Sequence, residues 1–522
     1  MKEEENSGIL RQTSLKNSSI AIAGLTILPS HVAEGLGHKA TSVKLNINYF
    51  LSGIPLLLAG ILLSQCQKKE EQKNPNIIFI MADDMGFGDP ECYNPYSKIP
   101  TPYINSLANE GMQFTNAHSP GAWSAPTRYG LLTGRYPIHI ITSQVSNAWL
   151  INENQITIAG LLKEHGYHTG MVGKWHLGFK NMDDPDYSKP LRGGPVDHGF
   201  DYYFGLHASL DIPPYFYIEN DHVVQPPTDS IEESHTEGYY PVQGAFWRAG
   251  KIAPNFKHEE VLSKLTDKAV SFIEEQYSKN SEDPFFLYFA MTGPHTPWLP
   301  REIFKDSSDA GIYGDFITYV DHSLGRVLNV LEQLGIDDNT LVFFTSDNGP
   351  VWFKRDRERF DHKSTYYLRG IKGDAYEGGH RMPFLAKWPG KIKPGTKTDE
   401  LICFTDILST FSDLMGDTLP LRLQKESSSI LPVLLGNKDK IKLNKGIIIE
   451  DRTVIQGGWK FIDGDGNGGL STRYKEDGFE KKEEGELYNL AKDSTESNNL
   501  YYEYPERVEE MKAMLESIKK NN

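Results

Sequence analysis

The chain has 522 residues, of which 39% are hydrophobic, 11% aromatic and 24% charged, a length that calls for one large domain plus a smaller one. The formal net charge of -16 excludes general nucleic-acid binding, which needs a basic face. Three cysteines, Cys66, Cys92 and Cys403, are spaced for neither a zinc site nor a dense disulfide framework.

Residues 1–66 read as a leader. The apolar run Ile54–Leu63, with Lys39 and Lys44 upstream, is too short for a comfortable transmembrane helix and has the length of a signal-peptide core. Leu63-Ser64-Gln65-Cys66 resembles a bacterial lipobox with Cys66 lipidated, although Gln65 stands where a small residue is usual. An ordinary secretory signal or a membrane stub is the alternative. Either reading exports the protein, to the periplasm or the cell surface, and the lipobox anchors it to a bacterial outer membrane. Membrane contact is expected only through this segment, and residues 67–74 follow as a solvated tether.

Five apolar, β-branched or aromatic runs then predict buried strands: Asn76–Met81, His168–Val172, Pro284–Ala290, Thr340–Thr345 and Met382–Trp388. Helical patterns lie between them at Thr101–Glu110, Ile156–His165, His258–Tyr277 and Tyr313–Leu334. This alternation predicts an α/β domain over 75–440, with a large, mostly parallel or mixed central sheet flanked by helices. Residues 441–522 change character. Short strand-like pieces at Gly446–Glu450, Arg452–Gln456 and Trp459–Ile462, then a charged helix over Glu506–Lys519, predict a small antiparallel sheet with one helix.

In such a fold the polar residues at the carboxyl ends of strands carry the chemistry. Asp83-Asp84 ends the first strand and Asp347-Asn348 ends another. Carboxylates and an amide oxygen are hard ligands suited to calcium or magnesium. Taken singly, the pairs also read as a helix cap and a turn. Ser124–Arg135 reads SAPTRYGLLTGR. Its local reading is a helix N-terminus capped by Ser124, a position that favours anions.

That stretch resembles the formylglycine signature of the type I sulfatases, arylsulfatase-like members of the alkaline phosphatase superfamily. Ser124, Pro126, Arg128, Leu132, Thr133, Gly134 and Arg135 match its fixed positions. GKWHLG at 173–178, GPHTP at 293–297 and LRGIKGDAYEGGHRMP at 368–383 resemble further family segments, in the family's order. The resemblance implies a sulfatase that hydrolyses sulfate esters, with Ser124 oxidised to formylglycine, whose hydrate is the nucleophile. It implies one Ca2+ on Asp83, Asp84, Ser124, Asp347 and Asn348. Arg128, Lys174 and Lys372 would neutralise the sulfate oxygens. His295, with Lys372, would protonate the leaving oxygen, and His176 would act as base. Serine at the modified position resembles the bacterial subgroup matured by an anaerobic radical enzyme, which becomes an expected partner.

The expected substrate is a sulfated carbohydrate attacked at its chain end, with galactose or N-acetylgalactosamine units favoured. The aromatic-rich stretch Phe204–Asp221, with His207 and Asp211, reads equally as a sugar subsite or a packed loop. Asp463–Gly468 (DGDGNG) resembles half of an EF-hand loop, but Tyr474 stands at its twelfth position, so a hairpin loop is the better reading. Two rival functions remain. One is a phosphatase or a phosphonate or phosphodiester hydrolase of the same superfamily; the other is a lipoprotein that binds sulfated glycans without turnover.

Overall fold

The strand Asn76–Asp83 forms the middle of the sheet because its residues suit burial on both faces: Ile77 through Ala82 have no exposed surface. Each such large apolar side chain contributes about 1.5–3 kcal/mol of transfer free energy. The protein is described from a computed structural model, covering residues 73–138, 149–180, 182, 184–279, 282–437, 446–474 and 484–521. The leader, Cys66 and residues 67–72 of the tether lie outside the described residues.

Among the described residues the main sheet has ten strands. Thr340–Ser346, Asn76–Asp83, Phe285–Pro294, His168–Lys174 and Tyr202–Leu206 lie side by side in that order, all parallel. The expected run at Met382–Trp388 is the strand Phe384–Lys387, antiparallel to Thr340–Ser346. Short strands at Met112–Phe114 and Thr396–Thr398 extend that edge, and Ile218–Glu219 and His222–Val223 extend the other. Adjacent residues on one strand serve opposite faces. Phe285 packs on Phe272 of the helix Val261–Lys279, whereas Phe286 packs on Phe411 of Asp406–Leu414. The helix Gly311–Leu334 lies against Val261–Lys279, and Ser124–Thr133 lies against Asp406–Leu414.

The C-terminal part is an antiparallel sheet of four strands, Ile447–Ile449, Thr453–Gln456, Trp459–Asp463 and Gly485–Asn489. The helix Pro505–Asn521 seals it with Val508, Met511 and Leu515. The sheet shares an apolar cluster with Tyr136 and Cys403 of the larger part, and Gln72–Asn522 form one compact unit. The expected boundary at 440/441 falls among 438–445, outside the described residues. Asp463–Gly468 lies, as expected, in a hairpin connection, since the strands on either side are antiparallel neighbours. It opens the long connection between Trp459–Asp463 and Gly485–Asn489, which also carries the short helix Leu470–Arg473.

Candidate active site

Sheet register brings the chemistry together. Ala82 pairs with Ser346, Asp83 with Pro294 and Gly173 with Ala290. The strands therefore finish level, and Asp83-Asp84, Asp347-Asn348, Lys174 and His295 emerge at one end. The helix Ser124–Thr133 points its first residue into this cluster. Its cap differs from expectation: Trp123 occupies the N-cap position and no side chain caps the helix. The Ser124 hydroxyl instead lies 3.3 Å from Asp83 Oδ1 and 3.2 Å from Asn348 Oδ1. Lys174 Nζ donates to it at 3.1 Å and to Asp83 Oδ2 at 2.7 Å.

Arg128, one helical turn beyond Ser124, is fully buried. It donates to Asp347 Oδ2 at 2.8 Å and to the Lys174 carbonyl at 3.0 Å. Lys372 Nζ reaches Asp84 Oδ1 at 2.5 Å, and Asn348 Nδ2 donates to the same oxygen at 2.7 Å. Burial opposes the Asp83 charge, but Lys174, His295 and Arg128 outweigh it and hold the carboxyl below the usual range. Burial likewise opposes the Lys372 charge, and Asp84, Asp83 and Asp347 hold the ammonium above the usual lysine value.

Three carboxylates face three cations here, so the cluster is close to neutral. Asp84 Oδ2 is buried and has no hydrogen-bond partner. Asp84 itself sits at φ 67°, a strained conformation for a residue with a side chain. The orphan oxygen, the converging oxygens of Asp83, Asp347 and Asn348, and the Ser124 hydroxyl fit a hard divalent cation. Such a charge would leave the pocket with a positive excess suited to an anionic ester.

The two histidines flank this cluster differently. His295 Nδ1 lies 2.7 Å from the Thr296 carbonyl, which only accepts, so Nδ1 carries hydrogen and Nε2 faces Asp84 Oδ2 at 3.7 Å. His176 is partly buried, and its Nδ1 is buried without a partner. Burial, then Lys174 and Arg128, keep His176 well below the usual imidazole value, so it is neutral near pH 7.

The stretch Phe204–Asp221 divides. His207 stacks on Phe216 and bonds the Pro214 carbonyl at 2.9 Å, so its ring serves packing. Asp211 reaches the site: its Oδ1 is buried without a hydrogen-bond partner, 3.9 Å from His295 Nδ1. The sequence reading missed Arg248, whose guanidinium holds Asp211 Oδ2 and also donates to the Asp211 carbonyl at 3.2 Å. No local motif marks it, since 37 residues separate the partners. It also missed how the C-terminal part holds Lys372: the Lys372 carbonyl accepts from Leu470 N at 3.2 Å, and Asp374 Oδ1 accepts from Gly469 N at 3.3 Å.

A second charged cluster backs the site. Lys460, buried in the small sheet, places Nζ 3.0 Å from Glu377 Oε1, 2.7 Å from Glu496 Oε1 and 3.0 Å from His380 Nε2. Glu377 opens the glycine turn whose Gly379 carbonyl accepts from Gly349 N at 2.9 Å, next to Asn348. The ammonium engages Glu377 and His380, two of the three residues, with His118, whose ligand atoms lie close enough together to hold a metal ion.

Residues 75–417 match the Sulfatase family. The chain is 35% identical to an N-acetylgalactosamine-6-O-sulfatase of Bacteroides thetaiotaomicron, over 89% of this chain and 98% of that one. It is 33% identical to human arylsulfatase A, over 69% and 68% of the two chains. A solved structure from work on glycosaminoglycan metabolism by Bacteroides thetaiotaomicron covers 86% of this chain and 100% of that one, at 33% identity and TM-score 0.75. With Ser124 seated among three carboxylates and three cations, the chain belongs to the sulfatase family and is a sulfuric ester hydrolase.

Proposed function

We propose that the protein removes 6-O-sulfate from N-acetylgalactosamine, or from galactose, at the ends of sulfated glycan chains. In this reading Ser124 is converted to formylglycine by an anaerobic radical maturase, and one Ca2+ binds Asp83, Asp84, Asp347, Asn348 and residue 124. The choice of sugar rests on the relative named as an N-acetylgalactosamine-6-O-sulfatase, which aligns over nearly its whole length. The observation that carries the reading is the Asp211 carboxylate. Its buried, unpartnered oxygen next to His295 is an acceptor for a sugar hydroxyl beside the leaving oxygen.

The aldehyde hydrate of formylglycine supplies a nucleophile that can later release sulfate, which an unmodified serine ester does not do readily. The calcium ion supplies positive charge at the sulfate oxygens. The side chains do the rest. Lys174, already 3.1 Å from Ser124 Oγ, and Lys372 leave their carboxylate partners partly and meet the sulfate oxygens as charge shifts onto them. Arg128, expected at the sulfate oxygens, is instead fully buried behind Asp347 and Asp83 and fixes their orientation. His295, with Nδ1 committed to the Thr296 carbonyl, delivers a proton from Nε2 to the leaving alcohol oxygen. His176, held neutral, takes the proton from residue 124. Arg248 keeps Asp211 from swinging away from the sugar.

Export and a lipid anchor at Cys66 remain part of the proposal, on the pattern of the leader alone. The test is a Ser124→Cys variant made together with a formylglycine-generating enzyme. Release of sulfate and phosphate is measured from 6-sulfated and 4-sulfated N-acetylgalactosamine, 6-sulfated galactose, 6-sulfated glucosamine, and nitrophenyl sulfate and phosphate. Preference for the 6-sulfated galacto sugars, abolished by calcium chelation, is expected. A preference for 6-sulfated glucosamine would overturn the sugar assignment, and faster phosphate release would favour the phosphatase reading.

A further inference from the structure

Loops around 94–98 and 361–367 wall a groove of about 580 Å³ whose lining includes none of the residues that meet at Ser124. Three tyrosines line it as a continuous aromatic strip. Tyr96 is 74% exposed and Tyr367 40% exposed, with Tyr366 between them at ring-centroid separations of 6.5 and 5.0 Å. Single exposed rings are ordinary on a surface, but a contiguous strip of them marks a contact face. Lys98 and Lys363 flank the strip. Asp361, also in the groove, lies 3.8 Å from Lys98. Two ammonium groups against one carboxylate leave this face positive in a chain of net charge -16. A second groove of about 480 Å³ shares Lys363, Tyr366 and Tyr367 and runs past Arg369 to Ile371 and Asp374, the neighbours of Lys372, so the face is longer than one sugar ring and extends toward the active site.

The strip is held rigidly. Tyr366 has φ 57°, a strained value for a bulky residue, and strain of this kind persists only where its surroundings enforce it. Gly88 enforces it: its N–H donates to the Ser364 carbonyl at 2.7 Å, and a Cβ at Gly88 would meet Tyr366 N at 2.5 Å. Beneath, buried Asp89 accepts from Tyr313 at 2.6 Å and pairs with His362 at 2.8 Å. Tyrosine rings present a flat face to the C–H surface of a pyranose and a hydroxyl to its rim. Lysines beside them pair with sulfate groups.

We propose that the Tyr96–Tyr366–Tyr367 groove is a non-catalytic binding site for a sulfated polysaccharide, which keeps the polymer on the enzyme between turnovers at Ser124. Only the choice of polymer rests on the proposed substrate. The test compares the wild-type protein with a Tyr96→Ala/Tyr367→Ala variant and a Lys98→Gln/Lys363→Gln variant. Retardation is measured in gels containing chondroitin 6-sulfate or its desulfated form, and turnover of nitrophenyl sulfate is measured alongside. Both variants should bind the sulfated polymer about fivefold or more weakly, as loss of an anchoring side chain does, and turn over nitrophenyl sulfate like the wild type. The desulfated polymer should be held weakly by all three proteins. Unchanged retardation of the tyrosine variant, or equal retention of the desulfated polymer by the wild type, would overturn the proposal. Failure of the sugar assignment would show separately, in the monosaccharide panel.

Discussion

Replacing Lys460 by methionine keeps most of the side-chain volume and removes the ammonium shared by Glu377 and Glu496. Arg381 Nε remains 2.6 Å from Glu377, so Glu496 becomes the uncompensated group. Breaking a buried pair from one side costs about 3–5 kcal/mol. Glu496 has an escape, because burial already pushes its carboxyl up to about 7 and loss of Lys460 pushes it further. The folded variant then binds a proton that the unfolded chain has lost. Between the unfolded glutamate value near 4.5 and the raised folded value, its stability therefore falls as pH rises, by at most about 1.4 kcal/mol per pH unit. The expected loss is about 3 kcal/mol or more at pH 8 and distinctly smaller at pH 6. Urea unfolding at fixed calcium reads it. In a unit of this size the entropy of unfolding gives roughly 1 kcal/mol per kelvin, so Tm should drop by about 3–5 °C at pH 8. A loss below about 1 kcal/mol at pH 8, or one independent of pH, would refute the view that Lys460 neutralises this cluster.

Other outcomes follow from the same geometry. Arg248→Ala and Asp211→Asn should raise KM for the sulfated sugar about tenfold or more while nitrophenyl sulfate is turned over nearly as before, since only the sugar offers hydroxyls to read. Equal losses on both substrates would place Asp211 in the chemistry instead. Calcium at about a hundred times its Kd should stabilise the protein by about 2.7 kcal/mol, and Asp84→Asn should abolish most of that gain in a thermal melt. Asp321 accepts from Tyr103 N and Ile104 N, and burial pushes its carboxyl up to about 7. The folded state thus holds a proton that the unfolded chain releases near pH 4, and stability falls, by up to about 4 kcal/mol, as pH rises to 7. Asp321→Asn should flatten that slope in urea titrations from pH 5 to 8, and an unchanged slope would exclude Asp321 as its source.

The buried parallel strands were legible because their apolar runs have no polar alternation. Asn76–Asp83 and Thr340–Ser346 lie within a residue or two of expectation. The helix expected from Ile156 starts at Ile158, because Thr157 caps it by accepting from Gly160 N. The strand Gly485–Asn489 escaped notice, since its side chains are set by pairing with Trp459–Asp463 and a short segment carries no period of its own. In the candidate site, the motif residues Ser124, Arg128, Lys174, His295 and Lys372 were readable, and the structure gathers them with both acidic pairs. His207 and Asp211 were inseparable by composition, and only geometry turns one into packing and the other toward His295. Arg248 and Lys460 were invisible, because a charge gains meaning from partners many residues away.

Ser124 is only 4% exposed, closed in by Asp83, Lys174 and Asn348, the last of which lies 224 residues further along the chain. An enzyme large enough to oxidise this side chain has no route to it once those strands are paired. The proposed maturation would therefore have to win a race against folding, with position 124 converted while the downstream strand and the Lys372 segment are still undocked. On the proposed maturation, a copy that folds first would stay in the serine form, so slower folding would raise the active fraction of a preparation and a faster-folding variant would lower it.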